Sequence, residues 1–212
     1  MRWLGHSVGY LQDWTYWAER DGWRTALVNA ILDMGSLPYR HTRFLVVARS
    51  LSEPLPDLRP KIMLEIRPFE PADVELVRHI HRPSEARICT QRLAHGHHGV
   101  VAQHQGRIVG YGWGCTDMSL ERMPVTLRPG DVLCTDAYTA PAYRGQGIQT
   151  ALMLARMRLF GDLGYKRMLA CIIENNYPSL AVWRKVDSQV VQKGDFKRIG
   201  PWRRVRYVEV AP

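Results

Sequence analysis

Cysteine is scarce in this chain. Of 212 residues only four are cysteine, at Cys89, Cys115, Cys134 and Cys171, and no two form a Cys-x-x-Cys pair. A disulfide framework or a zinc site needs denser and more regular spacing. Reduced and mostly buried thiols are therefore expected, with no metal. Long apolar runs are missing too: none approaches the roughly 18–20 residues that span a bilayer. A signal peptide is not evident, because Gly5, His6 and Gln12-Asp13 interrupt any apolar core and no small-residue cleavage site follows. A cytoplasmic location is the expectation. There is no internal repeat and no run of five lysines or arginines, although the formal net charge is +9. The densest basic cluster is Lys197-Arg198, Arg203-Arg204 and Arg206. A basic balance without a basic tract fits a small anionic ligand, and nucleic acid is not expected as a partner.

What is present suits one domain with a structured extension: 46% of the residues are hydrophobic, enough for a core. Two regions are expected. In residues 1–60, Trp3, Tyr10, Trp14 and Trp17 recur at helical spacing, and Thr25 to Met34 reads as a second helix closed by Gly35. Phe44 to Ala48 reads as a short strand, and the prolines from Ser52 to Pro60 mark a linker. The aromatic stripe suits a helix packed on the main domain; contact with a membrane surface and a homodimer interface are the alternatives. Residues 61–212 read as alternating elements. Strands are expected at Met63–Arg67, Gly99–Gln103, Ile108–Gly112, Asp131–Thr139, Arg167–Ile173 and Val205–Val210. Helices are expected from Pro71 for about a dozen residues, over Gln149–Leu163 and over Ser179–Val186. Mixed strands flanked by helices make an α/β fold.

The strongest local signal runs from Tyr138 to Gln149. A strand ends, a glycine loop Arg144-Gly145-Gln146-Gly147 follows, and Ile148-Gln149 opens a helix. Backbone N–H groups then converge at the positive end of a helix dipole, which suits a phosphate. Two rivals exist. The stretch also approximates a dinucleotide fingerprint, with Glu174 near the place of a ribose-binding acid. Against it, the third glycine is Thr150, four residues separate Thr139 from Arg144, and too little chain follows for a doubly wound sheet. The other rival is a glycine turn without a ligand.

The same stretch resembles the first signature of the GNAT acyltransferases, in which Val-x-Pro-x-x-Arg-Gly-x-Gly-Ile-Gly follows the fourth strand. Thr139, Pro141, Arg144, Gly145, Gly147 and Ile148 match or nearly match; Gln149 replaces the final glycine. A second family signature is similar to Asn176-Tyr177-Pro178-Ser179 followed by Trp183 and Lys185. Here Trp183 replaces the usual tyrosine, and Asp187-Ser188 replaces Gly-Phe. Ile66-Arg67-Pro68-Phe69 with Asp73 looks like the family's opening strand and helix. The likeness covers about 65 to 190 and leaves the first sixty residues outside.

The resemblance implies a GNAT fold: a mixed, mostly antiparallel sheet splayed at the cofactor strand, flanked by helices, here with an N-terminal helical extension. It implies acetyl-CoA or another acyl-CoA as donor and an amine of a small molecule or sugar as acceptor. The backbone of Arg144, Gly145, Gln146, Gly147, Ile148 and Gln149 would hold the pyrophosphate. Tyr138, Thr139 and Ala140 would pair with the pantetheine arm, and Asn176, Ser179 and Trp183 would face it from the second signature. An amine near pKa 10 is neutral about once in a thousand molecules at pH 7, whereas a thiolate near pKa 8.5 leaves readily. A base is therefore needed more than an acid. Asp136 is the first candidate, expected by alternation to share a face with Cys134 and Tyr138. Tyr138 is a second catalytic candidate or a substrate-orienting group. Trp183 cannot donate a proton usefully, so Tyr177, Tyr143 or water would serve if an acid is used. His95, His97 and His98 form an alternative source of a base. Because Trp183, Asp187 and Ser188 depart from the family pattern, a non-catalytic acyl-CoA-binding or interaction module is the alternative function.

Overall fold

Strand pairing, more than any helix, organises this molecule. The computed structural model describes residues 39–119, 125–199 and 202–209. The two helices and the aromatic stripe expected before residue 39 lie outside them. Among the described residues eight strands form one sheet: β1 (Tyr39–Ser50), β2 (Glu65–Pro68), β3 (His98–His104), β4 (Arg107–Cys115), β5 (Asp131–Thr139), β6 (Arg167–Ile173), β7 (Gln189–Ile199) and β8 (Trp202–Glu209). The spatial order is β2-β3-β4-β5-β6-β1-β7-β8. Every neighbouring pair is antiparallel except β5 with β6. Among the described residues four α-helices flank the sheet: α1 (Asp73–Val77), α2 (Pro83–Ala94), α3 (Ile148–Asp162) and α4 (Tyr177–Lys185).

Three elements differ from expectation, each for a physical reason. The helix expected from Pro71 has only five residues. Proline disfavours a helical conformation at the residue before it, and Arg82 is extended (ψ 149°), so a new helix starts with Pro83 in its first turn. The second difference is β7, whose polar run Gln192-Lys193-Gly194-Asp195 carries no apolar alternation and which is extended by its pairing with β1 and β8. The third is β1, which runs for twelve residues rather than five and lies inside the sheet. Phe44, Val46, Val47 and Ala48 are all buried, as a strand covered on both faces requires. β1 precedes the division expected at residue 60, yet strands from beyond it pair with both of its edges.

α3 is the helix that positions the site. Its residues Ile148, Leu152, Arg156 and Phe160 recur every four positions and form one stripe. On β4, Gly110, Gly112 and Gly114 occupy one face of the strand, because alternate residues share a face. A Cβ at Gly110 would come within 3.2 Å of Ile148 and Leu152, one at Gly112 within 2.8 Å of the Arg156 guanidinium, and one at Gly114 would overlap Phe160. The glycines form a trench, and the helix lies in it with its N-terminus at the Thr139 end of β5. On the opposite face, Tyr111 and Trp113 of β4 pack with Phe69, Val77 and Cys89.

Candidate acyl-transfer site

The β5–β6 pair opens part-way along. Asp131, Val132 and Leu133 pair with Arg167, Met168 and Leu169, and there the pairing ends. β5 continues to Thr139 against β4, and β6 continues to Ile173 against β1. A wedge-shaped gap results, lined by two strand edges whose backbone groups face each other without pairing. Its closed end is held by Asp131, which is 5% exposed. Arg167 donates to both of its oxygens at 2.9 and 2.8 Å, and the Arg128 N–H donates at 2.9 Å. Burial alone would raise the Asp131 carboxyl, but these donors hold it below its ordinary value.

A β-bulge lies beside the opening. Tyr111 pairs with Tyr138 and Trp113 with Thr135, so Gly112 alone faces both Asp136 and Ala137. Asp136 has φ +40°, a left-handed conformation uncommon outside glycine. Its Oδ2 accepts from Arg92 Nη2 at 2.6 Å, and the Arg92 side chain is only 4% exposed. The bulge also corrects the expected facing. Cys134 points toward α3, where Arg156 donates to its sulfur at 2.7 Å, whereas Asp136 turns to Arg92 of α2 on the other side. Tyr138 lies on the same side as Asp136: its hydroxyl donates to the Ile80 carbonyl at 2.7 Å, and its ring stacks on His81 at 3.7 Å. The extra residue breaks the period of two, so alternation counted across Asp136 fails for Cys134.

His81 lies between two tyrosines. Burial drives the Tyr111 phenol up, so it keeps its proton, and its hydroxyl lies 2.6 Å from His81 Nδ1. Glu85, itself buried, accepts from Arg82 at 2.8 Å.

The glycine loop sits at the open end of the gap. After a single 3-10 turn, Pro141–Tyr143, Gly145 and Gly147 adopt φ +78° and +81°. Gly147 is the N-cap of α3 and no side chain caps that helix, so its first N–H groups have no partner from within the helix or from a cap. Left-handed glycines and uncapped amides form the concavity that suits a pyrophosphate. Two loop side chains hold Thr139: Arg144 Nε donates to its carbonyl at 3.3 Å and Gln149 Nε2 to its hydroxyl at 2.8 Å. Gln149, in place of the usual glycine, thus fastens the first turn of α3 to the end of β5.

From the second signature, Asn176 is the N-cap of α4 and its Oδ1 accepts from the Ser179 N–H at 3.3 Å. Ser179 itself is half-buried. Trp183 is 2% exposed and packs in the core with Met153, Met157, Ala170 and Ile172, so it supports the gap from beneath. The structure gathers the Arg144–Gln149 loop, Thr139 and Ala140 at one end of the gap, with Tyr138 and Asp136 on its β5 wall. It sets the histidines apart: His95 caps α2, His97 is buried beyond it and His98 opens β3. Arg92 and His81 were missed by sequence reasoning. Pro83 followed by an amphipathic dozen was the signal for α2, and through it for Arg92.

The protein-family comparison matches residues 61–187, more than half of the chain, to the acetyltransferase (GNAT) family. No curated protein matches the sequence. Solved structures share the fold. A GCN5-related N-acetyltransferase from Sphaerobacter thermophilus is 18% identical, with a TM-score of 0.54 over 89% of this chain and 57% of that one. A Drosophila protein is 15% identical, with a TM-score of 0.56 over 85% of this chain and 58% of that one. The chain thus spans little more than half the length of either. Among the described residues no helix is long and apolar enough to cross a membrane. With the signatures, the glycine loop and the splayed strand pair in place, the family match is decisive: this chain belongs to the acetyltransferase (GNAT) family.

Proposed function

We propose that the chain transfers an acyl group, most simply acetyl, from acyl-CoA to the amine of a small molecule in the cytoplasm. The family uses acetyl-CoA as its donor. The observation that carries the reading is the β5–β6 gap ending against an uncapped helix start with two left-handed glycines. Those amides suit a pyrophosphate, and the open edge from Tyr138 to Ala140 suits an extended amide-bearing arm.

The thiols support direct attack by the amine rather than an acyl-enzyme. Burial pushes Cys89 and Cys171 up to about 12, and drives Cys134 up as well, so none of the three is poised as a thiolate. In this reading Asp136 takes the amine proton. Its carboxylate is 37% exposed, and Oδ1 has no hydrogen-bond partner among the described residues. Bound acyl-CoA supplies an activated thioester, and a backbone N–H near Thr139 would stabilise its developing oxyanion.

A second reading, an acyl-CoA-binding module without turnover, is favoured by one fact. Asp136 and Tyr138 both have structural hydrogen-bond partners, Arg92 and the Ile80 carbonyl. The experiment that separates the readings is thiol release from acetyl-CoA across a panel of amines. Release with any amine above the hydrolysis background supports transfer. Binding of CoA with no release on any amine supports the module.

A further inference from the structure

The segment between β1 and β2 reads as a linker by its prolines, yet it behaves as a strap. At its start the Leu51 N–H donates to the Lys166 carbonyl at 2.9 Å, and buried Arg49 of β1 donates to the Pro54 carbonyl at 2.8 Å. Leu55 and Leu58 pack on the core cluster that contains Met153, Leu154 and Met157 of α3. Ile62 and Leu64 pack on the cluster that contains Ile148 and Leu152 of the same helix. The chain therefore crosses α3, anchored by apolar side chains before and after the crossing. Between the anchors it meets the glycine loop. The Lys61 N–H donates to the Gln146 carbonyl at 2.8 Å, and a Cβ at Gly147 would lie 3.2 Å from the Pro60 Cα.

That single backbone bond has a geometric consequence. In a planar trans peptide, the carbonyl of one residue and the N–H of the next point in opposite directions. Drawing the Gln146 carbonyl toward the strap therefore turns the Gly147 N–H away from it. The glycine at 147 lets the 146–147 peptide rotate at little steric cost, so the loop sequence alone does not choose between the two orientations. The bond from Lys61 does.

We propose that Arg59–Lys61 is a cofactor-positioning brace, in which the main-chain N–H of Lys61 fixes the Gln146–Gly147 peptide so that the Gly147 N–H faces the pyrophosphate. The proposal rests on the reading of this loop as the pyrophosphate site. Pyrophosphate recognition then depends on a segment that precedes the glycine loop by some eighty residues. The same segment leads out of β1, so the middle of the sheet and the anion site are joined by one continuous stretch of chain.

The test uses CoA binding to the whole chain, measured by calorimetry, with the melting temperature of each free variant alongside. Lys61→Ala keeps the N–H, and any loss of CoA affinity should be smaller than in Lys61→Pro. Lys61→Pro removes the N–H and should weaken CoA about three- to tenfold, the usual worth of one hydrogen bond. The CoA-induced rise in melting temperature should shrink beyond any change in the free protein, which a merely structural role would not produce. Amide exchange in the unmodified chain decides the same point without a variant: the Lys61 N–H should be protected, and more so with CoA. Parent-like CoA affinity in Lys61→Pro, an equal loss in Lys61→Ala, or an unprotected Lys61 amide would each overturn the brace alone. A parent that binds no CoA overturns the brace and the functional reading together.

Discussion

The glycine loop and the β5 bulge lie at opposite ends of one short stretch of chain, yet they are built on different principles. From Gly145 to Gln149 the groups offered to a ligand are backbone amides, and the sequence needs only to keep side chains away. At the bulge the geometry depends on side chains. A buried arginine from a distant helix reaches Asp136, whose backbone sits in a conformation that non-glycine residues seldom adopt. The loop should therefore fail when a side chain is added, and the bulge when one is removed.

Adding a side chain at Gly147 should have the largest effect. Gly147→Asp introduces a carboxylate at the anion site, a left-handed non-glycine residue and a close approach to Pro60 at 3.2 Å. CoA affinity should fall by more than about 100-fold, roughly 3 kcal/mol. The conformational cost to the fold should be about 1–3 kcal/mol. Calorimetry reads the first and urea unfolding the second; unchanged affinity would place the cofactor elsewhere.

At the bulge, Asp136→Asn keeps the shape and tolerates the left-handed backbone, since asparagine visits that region readily. If Asp136 is the base, kcat should fall about 10²–10⁴-fold, with the loss spread over the pH range in which the parent is active. A parent-like kcat at every pH would leave Asp136 as a structural partner of Arg92 only.

Arg92→Met removes the pin while preserving length and apolar packing. It leaves Asp136 without its cation, and Cys115 loses a donor that now lies at 2.9 Å. Stability should drop by about 2–4 kcal/mol in urea unfolding. CoA affinity should change less than in Gly147→Asp, because the loop does not depend on Arg92. Equal loss of affinity in both variants would erase the contrast between the two regions.

The closed end of the gap gives a smaller, pH-dependent effect. The folded Asp131 carboxyl lies below its ordinary value, so its contribution is present above the usual carboxylate range. It is lost as pH falls through the folded value. Asp131→Asn should cost about 1–3 kcal/mol at pH 7 and progressively less in acid. A cost that stays constant from pH 7 to pH 3 would contradict the ion-pair account.

This contrast also explains what was legible in the sequence. Strands β3 to β6, helix α3 and the loop were readable, because glycines, alternation and a four-residue stripe are local signals. The bulge was not, since nothing around Asp136 announces an extra residue; it depends on Arg92, forty-four residues earlier in the chain. β1 was read as a short strand in an extension, because its partners β6 and β7 are more than a hundred residues away. The trench of Gly110, Gly112 and Gly114 is visible in the sequence, but its purpose is clear only once α3 lies in it. Trp183, expected from its signature position to face the cofactor, is buried in a core cluster with residues of β6 and α3.

Hydrogen exchange on the whole chain, with and without CoA, tests the central claim most directly. The account predicts slower exchange at the Gly145–Gln149 amides and along the open edge from Tyr138 to Ala140, with little change at the β7–β8 pair. Binding of CoA that leaves both segments unprotected, or protection confined to another part of the molecule, would contradict it.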